Sequence, residues 1–233
     1  MTTDETMRPL LVTHKEFIAT DTVLFELKSP DSLPLARFTA GAHIAVRVPN
    51  GAMRHYSLCS NPDEADHYQL AVKREADGRG GSQSLVDEVN VGDTLMAGTP
   101  SNLFGLSDKA KSFILVAGGI GITPMRAMIH SLRAEGLRSF KLYYLTRTPE
   151  SAAFLNELRS PELASSVVVH HTHGDPAKTF DLWSVFEKPQ AGAHVYCCGP
   201  KRLMDEVKDM TGHWPSSAVH FESFGADTKP HAD

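Results

Sequence analysis

The sequence predicts a six-stranded antiparallel β-barrel followed by a doubly wound parallel sheet, β then α/β, and three observations lead there. Up to about residue 104, apolar residues alternate with polar ones and turn residues punctuate the runs. From residue 112 onward, short apolar runs alternate with stretches of helical periodicity. At the start of that second pattern, Lys111 to Pro124 (KSFILVAGGIGITP) passes from a wholly apolar strand through three glycines into a helix.

In the first half, Val23, Phe25 and Leu27 alternate with outward positions, as do Ile44, Val46 and Val48, and Tyr68, Leu70 and Val72. Pro30-Asp31, Pro49-Asn50-Gly51 and Asn61-Pro62-Asp63 mark turns between them. Several short strands at this spacing argue for a closed antiparallel barrel. Leu85, Val86 and Val89 give the apolar side of one short helix beginning at Ser82. Gly92-Asp93 then turns the chain into a last strand at 94–98.

In the second half, strand-like runs fall at 113–117, 141–145, 167–171, 195–198 and 219–224. Met125, Met128, Ile129 and Leu132 recur at i, i+3, i+4 and i+7, so one face of that helix lies on the sheet. Phe154, Leu155 and Leu158 mark a second helix, and Leu203, Val207 and Met210 the last. The domains are expected at 1–104 and 112–225, with a connector at 105–111 and a linker-like tail at 226–233.

The glycine corner at 118–121 carries the first chemical signal. Gly118, Gly119 and Gly121 let the backbone turn sharply and approach a ligand with no Cβ in the way. Thr123 is placed to cap the helix and Pro124 to occupy its first position. Free amides and the positive end of the helix dipole then face the corner, an arrangement that holds a pyrophosphate. A plain strand-to-helix turn without a ligand is the alternative.

The barrel carries a second signal. Arg54, Tyr56 and Leu58 share one side of a strand because side chains alternate, with Ser57 beside them. Gly78 to Ser82 (GRGGS) opens the barrel helix and makes another phosphate-type corner. Taken singly, Tyr56 reads first as an ordinary barrel aromatic and Gly80-Gly81 as an ordinary turn; two phosphate-type corners in two domains shift the balance toward a ligand.

Composition excludes other classes. A formal charge of −5 over 233 residues offers no basic field for nucleic acid or an anionic membrane. No run approaches the ~18–20 apolar residues that span a bilayer, and the polar, acidic start is unlike a signal peptide, so a cytoplasmic protein is expected. Three cysteines, two adjacent at 197 and 198, make neither a disulfide framework nor a four-thiolate iron–sulfur site. His170, His171 and His173 point to no metal, since alternation sends the first two to opposite faces. Glu222 reads either as a proton donor or as an exposed carboxylate, and no Ser/His/Asp set sits in a nucleophile-elbow context.

Six motifs in order give a specific resemblance: Arg54 to Cys59 (RHYSLC), Ala71 to Arg74 (AVKR), GRGGS, Ala117 to Pro124 (AGGIGITP), Tyr196 to Pro200 (YCCGP) and His220 to Gly225 (HFESFG). From about residue 10 to 225 the chain resembles the ferredoxin–NADP reductase superfamily, in the branch that passes electrons from NADH to a Rieske oxygenase. The resemblance implies a flavin-binding barrel and an NAD-binding α/β domain, with FMN as the flavin and NADH as the donor. Arg54, Ser82 and the Gly80 and Gly81 amides would hold the FMN phosphate. Tyr56 and Leu58 would line the isoalloxazine, Ser57 would lie near N5, and backbone groups of Ala71, Val72 and Lys73 would address the pyrimidine edge. Phe224 would cover part of the ring. Gly119, Gly121 and Thr123 would face the NADH pyrophosphate, and Cys198, Gly199 and Pro200 would sit beside the nicotinamide, with Ser57, Cys198 and Phe224 nearest the chemistry. Cys197 reads as a small buried hydrophobe. Arg147, after the second strand of the sheet, is the candidate at the adenosine ribose.

Relatives of this kind continue past the equivalent of Gly225 into a [2Fe–2S] ferredoxin domain, whereas this sequence stops at Asp233. The cluster is therefore expected only in a ferredoxin domain outside this sequence or in a separate ferredoxin, with a Rieske oxygenase beyond. Two alternatives are a stand-alone flavin reductase and a non-catalytic nucleotide-sensing subunit.

Overall fold

The computed structural model describes residues 7–224; the tail expected at 226–233 lies outside them. Strands β1 (Arg8–Ala19), β2 (Thr22–Lys28), β3 (His43–Arg47), β4 (Met53–Ser57), β5 (Tyr68–Lys73) and β6 (Thr94–Ala97) form an antiparallel sheet in the order β4-β3-β6-β1-β2-β5. Its two ends meet where Leu58 bridges Leu70 and the Cys59 amide donates to the Gln69 carbonyl at 2.9 Å, so the sheet closes on itself. Val23, Phe25, Leu27, Ile44, Val46, Leu70 and Val72 are buried inside it, as the alternation predicts.

Alternation does not single out strand β1, and the reason is visible in its pairing. Its register against β2 slips between Val12 and His14 and again between Phe17 and Ala19. Each irregularity resets the two-residue period, which blurs the sequence signal. Helix α1 (Gly81–Glu88) follows β5 and buries Leu85 and Val86.

The second sheet contains β7 (Ser112–Gly118), β8 (Ser139–Thr146), β9 (Val167–His171), β10 (Ala193–Cys198) and β11 (Val219–Glu222), ordered β11-β10-β7-β8-β9. All its pairings are parallel. The chain starts in the middle, winds outward through β8 and β9, and returns to the other side of β7 with β10. The order therefore reverses between β7 and β10, and a crevice opens at the carboxyl ends of those strands.

Among the described residues four α-helices accompany this sheet: α2 (Ile122–Glu135), α3 (Leu155–Leu158), α4 (Trp183–Phe186) and α5 (Lys201–Met210). Phe113, Leu115 and Ala117 of β7 pack with Met125, Met128, Ile129 and Leu132 of α2. Ile114 and Val116 belong to the opposite core, with Phe186, Val207 and Trp214. A strand whose successive side chains enter two cores must be apolar throughout, which is why 113–117 shows no alternation.

Local expectations need three corrections. Thr123 is not the cap of α2 and Pro124 is not its first residue, because a 3₁₀ turn at Gly119–Gly121 starts the winding earlier and Ile122 leads the helix. Phe154 is not helical; it has φ of +60° and precedes α3, which is a single turn. Strand β11 ends at Glu222 rather than at 224.

Candidate functional site

The crevice between β7 and β10 is lined by glycines that resist replacement for different reasons and to different degrees. Gly119 has φ of +53°, a region costly for a side chain, and its Cβ direction faces open space. Gly121 is different: a Cβ there would lie 2.1 Å from the Cys198 carbonyl oxygen. A Cβ on Gly118 would meet Leu203 and Pro200, each at 2.7 Å, so the two strand ends and their loops touch with nothing between. No side chain caps the start of α2; the Ile122 amide donates to the Gly119 carbonyl inside the preceding 3₁₀ turn, and the positive end of the helix dipole faces the corner. Thr123 is buried and turns its hydroxyl back to the Ile120 carbonyl at 3.0 Å.

The barrel corner has the same physics with a charge added. Gly80 precedes α1 with φ of +76° and no side chain caps the helix. Arg54 packs directly on Gly81, where a Cβ would lie 2.5 Å from the arginine Nε. Its Nη1 donates to the Met53 carbonyl at 2.8 Å, and the Ser82 hydroxyl accepts from the Glu75 amide at 3.1 Å. A guanidinium beside uncapped helix amides is complementary to a phosphate.

Tyr56 lies on the Arg54 side of β4, partly buried against the barrel core. Its hydroxyl is buried and has no hydrogen-bond partner among the described residues. Burial pushes its pKa up to about 12, with Arg54 pulling weakly the other way. An unsatisfied buried hydroxyl costs about 1–3 kcal/mol. Leu58 and Val72 are buried in the barrel core and Ala71 is buried outside it, while Lys73 is exposed and its ammonium meets Glu75 at 2.7 Å.

The two sheets meet at Ser57 and Glu222. The buried Ser57 hydroxyl donates to Glu222 Oε2 at 3.3 Å. Burial raises the Glu222 pKa to about 7, with the serine bond opposing it. Glu222 is half-buried, so of its two readings the fully exposed carboxylate does not hold. Cys198 pairs with Glu222 across β10 and β11 and is fully buried. Burial, then the Glu222 charge, push its thiol well above the ordinary range, so it is a neutral thiol rather than a nucleophile. Cys197 faces the opposite core, as expected of a small hydrophobe. Phe224, two residues past Glu222, is 37 % exposed.

Arg147 is exposed just beyond β8, and its carbonyl accepts from the His173 amide at 2.6 Å. His170 reaches the Lys178 carbonyl, whereas His171 lies 2.6 Å from the Thr146 hydroxyl. Among the described residues no group of three or more His, Cys, Asp or Glu is arranged for a metal, and no helix is long and apolar enough to cross a membrane. The sequence reading missed Arg126, which reaches from α2 to the barrel; its surroundings at a helix surface carry no local motif.

Two family models match the chain, one described as an oxidoreductase FAD-binding domain over residues 9–104 and one as an oxidoreductase NAD-binding domain over 115–209. Fold and site thus define a flavoprotein oxidoreductase with a flavin-binding barrel and an NAD-binding α/β sheet. A phthalate dioxygenase reductase from Burkholderia cepacia is 59% identical over 217 residues, covering 93% of this chain and 67% of that protein. The phthalate 4,5-dioxygenase oxygenase reductase subunit of Pseudomonas putida is 52% identical over 230 residues, covering 99% and 71%. A solved phthalate dioxygenase reductase, described as modular for electron transfer from pyridine nucleotides to [2Fe–2S], superposes with a TM-score of 0.94 at 58% identity, covering 96% of this chain and 70% of that one. The chain belongs to the phthalate dioxygenase reductase family.

Proposed function

We propose that this protein takes hydride from NADH onto FMN and passes electrons singly to a [2Fe–2S] ferredoxin, fused or separate, and so to a Rieske aromatic-ring oxygenase such as phthalate dioxygenase. The observation that carries this reading is the Ser57–Glu222 bond beside Cys198, where the barrel and the nucleotide crevice share one small buried place. A flavin held there would accept one hydride, two electrons at once, and release them one at a time.

The protein's part is binding and alignment. Arg54, Ser82 and the Gly80 and Gly81 amides take the flavin phosphate, and a guanidinium at a helix start favours the nearly dianionic terminal phosphate of FMN. Tyr56 and Leu58 line the ring, the backbone of Ala71, Val72 and Lys73 addresses its pyrimidine edge, and Phe224 covers it. Gly119, Gly121 and Thr123 take the NADH pyrophosphate; Cys198, Gly199 and Pro200 flank the nicotinamide, and Arg147 lies by the adenosine ribose. Ser57 and Glu222 together hold a proton within reach of the flavin's reacting edge, since a carboxyl titrating near 7 is half protonated at neutral pH. The division at 1–104, 105–111 and 112–225 belongs to the same proposal. Its support is Tyr196, whose hydroxyl donates to the Gly105 carbonyl and accepts from the Ser107 amide, anchoring the connector to the parallel sheet.

Anaerobic titration tests the reading. Protein reconstituted with FMN should be yellow, bleach on addition of one equivalent of NADH, and release a flavin with the mass of FMN. A preparation that stays colourless with excess FMN rejects it.

A further inference from the structure

We propose that Arg126 is a positioning residue that fastens α2, and with it the nucleotide-binding corner, to the flavin side of the barrel, setting the distance over which hydride passes. The inference rests on the NADH-to-flavin reading above. Arg126 lies in the second turn of the helix whose amino end forms the glycine corner. Its Nη1 donates to the Cys59 carbonyl at 2.7 Å and to Gln69 Oε1 at 2.9 Å, both in the barrel. Its Nε faces the Glu157 carboxylate at 2.9 and 3.1 Å, and the guanidinium lies 4.6 Å from the centre of the Phe154 ring. Only 14% of the side chain is exposed.

Each partner belongs to something that must stay in place. Cys59 is two residues past Ser57, in the segment that closes the barrel through Leu58–Leu70 and the Cys59–Gln69 amide bond. Phe154 holds its ring under the guanidinium from a backbone with φ of +60°, which a bulky residue rarely adopts unless its surroundings fix it. The planar fork of arginine is used in two directions at once, toward the barrel and toward the β8–β9 connection, and the point charge of lysine reproduces only one of them. Because α2 is continuous with Gly119–Gly121, any slack at Arg126 displaces the corner relative to Ser57, and misplacement by an ångström is enough to slow a transfer between stacked rings.

The test compares wild type with Arg126→Met, Arg126→Lys and Gln69→Leu by anaerobic stopped flow, reading the flavin-reduction rate constant at saturating NADH separately from the Kd for NADH. Arg126→Met should retain flavin and keep its Kd within about threefold, but lose roughly tenfold or more in rate. Arg126→Lys should recover part of the loss, and Gln69→Leu should show a smaller loss of the same kind. In flavin-free protein, amide hydrogen exchange at 57–60 and 119–126 should quicken in Arg126→Met and much less in Arg126→Lys. A rate within twofold of wild type, a loss confined to flavin content or Tm, or unchanged exchange would overturn the proposal. If Arg126→Met does not fold, Gln69→Leu decides: a slower rate at unchanged Kd supports the proposal and an unchanged rate rejects it. Wild type that NADH cannot bleach refutes the functional reading itself, whereas wild type that bleaches with all variants equal to it refutes only the role of Arg126.

Discussion

The Ser57 hydroxyl, at the end of a barrel strand, donates across 3.3 Å to the carboxylate of Glu222 at the end of the outermost strand of the parallel sheet. These side chains are far apart in sequence, and their meeting joins the two halves of the protein. It also buries an acid whose pKa rises from 4.5 to about 7.

That rise makes stability depend on pH. Below about pH 4.5 Glu222 is protonated in folded and unfolded chains alike, and its stabilising share is complete. Between that point and about 7 only the folded form keeps the proton, so the contribution is lost as pH rises through the folded value. Glu222→Gln should remove this slope, making the variant more stable than wild type at pH 8 by roughly 2–3 kcal/mol and little different at pH 4.5. Urea unfolding at the two pH values measures it; parallel profiles would contradict it.

Gly81→Ala should loosen flavin without unfolding α1. Its Cβ would come within 2.5 Å of Arg54 Nε, so the guanidinium must leave the corner while alanine suits the helix. Flavin retention should fall at least roughly tenfold, the scale of one charge-assisted bond, with far-ultraviolet dichroism unchanged. Arg54→Ala should do the same and weaken flavin more than NADH. Equal weakening of both ligands, by titration, would take the phosphate away from Arg54.

Tyr56→Phe should separate stability from binding. Its buried hydroxyl has no partner among the described residues, so removing it should leave the flavin-free protein as stable or more stable by about 1 kcal/mol. Flavin affinity should drop. A clear fall in the Tm of flavin-free protein would show that the hydroxyl is satisfied by the chain itself.

Two glycines of one corner should differ sharply. Gly119→Ala meets open space and bears only the strain of φ at +53°, about 1 kcal/mol. Gly121→Ala drives a Cβ to 2.1 Å from a backbone oxygen that cannot swing aside, at a cost of roughly 3 kcal/mol or more, with loss of NADH binding. Thermal melts and NADH titrations of the pair would show it, and similar values for both would undo the account of the crevice.

Much of this was legible in the chain because the signals were local. Period-two runs at 23–27, 44–48 and 68–72 gave barrel strands, and the unbroken run at 113–117 gave a strand covered on both faces. Gly80, Gly81, Gly119 and Gly121 announced two turns that a Cβ would spoil. What could not be read depended on long-range pairing. Nothing near Ser57 names Glu222, and nothing near Arg126 names Cys59 or Gln69; those contacts exist only because two sheets are docked. Thr123 looked like a cap because Ser and Thr favour that place, but the glycines before it had already begun to wind. Phe154 looked helical because its spacing to Leu158 fits, whereas its backbone turns the other way.

The central strand β7 is the first of its sheet to be synthesised, well before the sheet can close around it. Its neighbour β8 follows soon, but its other edge waits for residues 193–198 to leave the ribosome. Until then Phe113 to Ala117 is an apolar ribbon with unpaired amides along one side, the kind of segment that sticks to other nascent chains. A chaperone that shields this interval should raise the yield of active protein more than one acting on the finished fold.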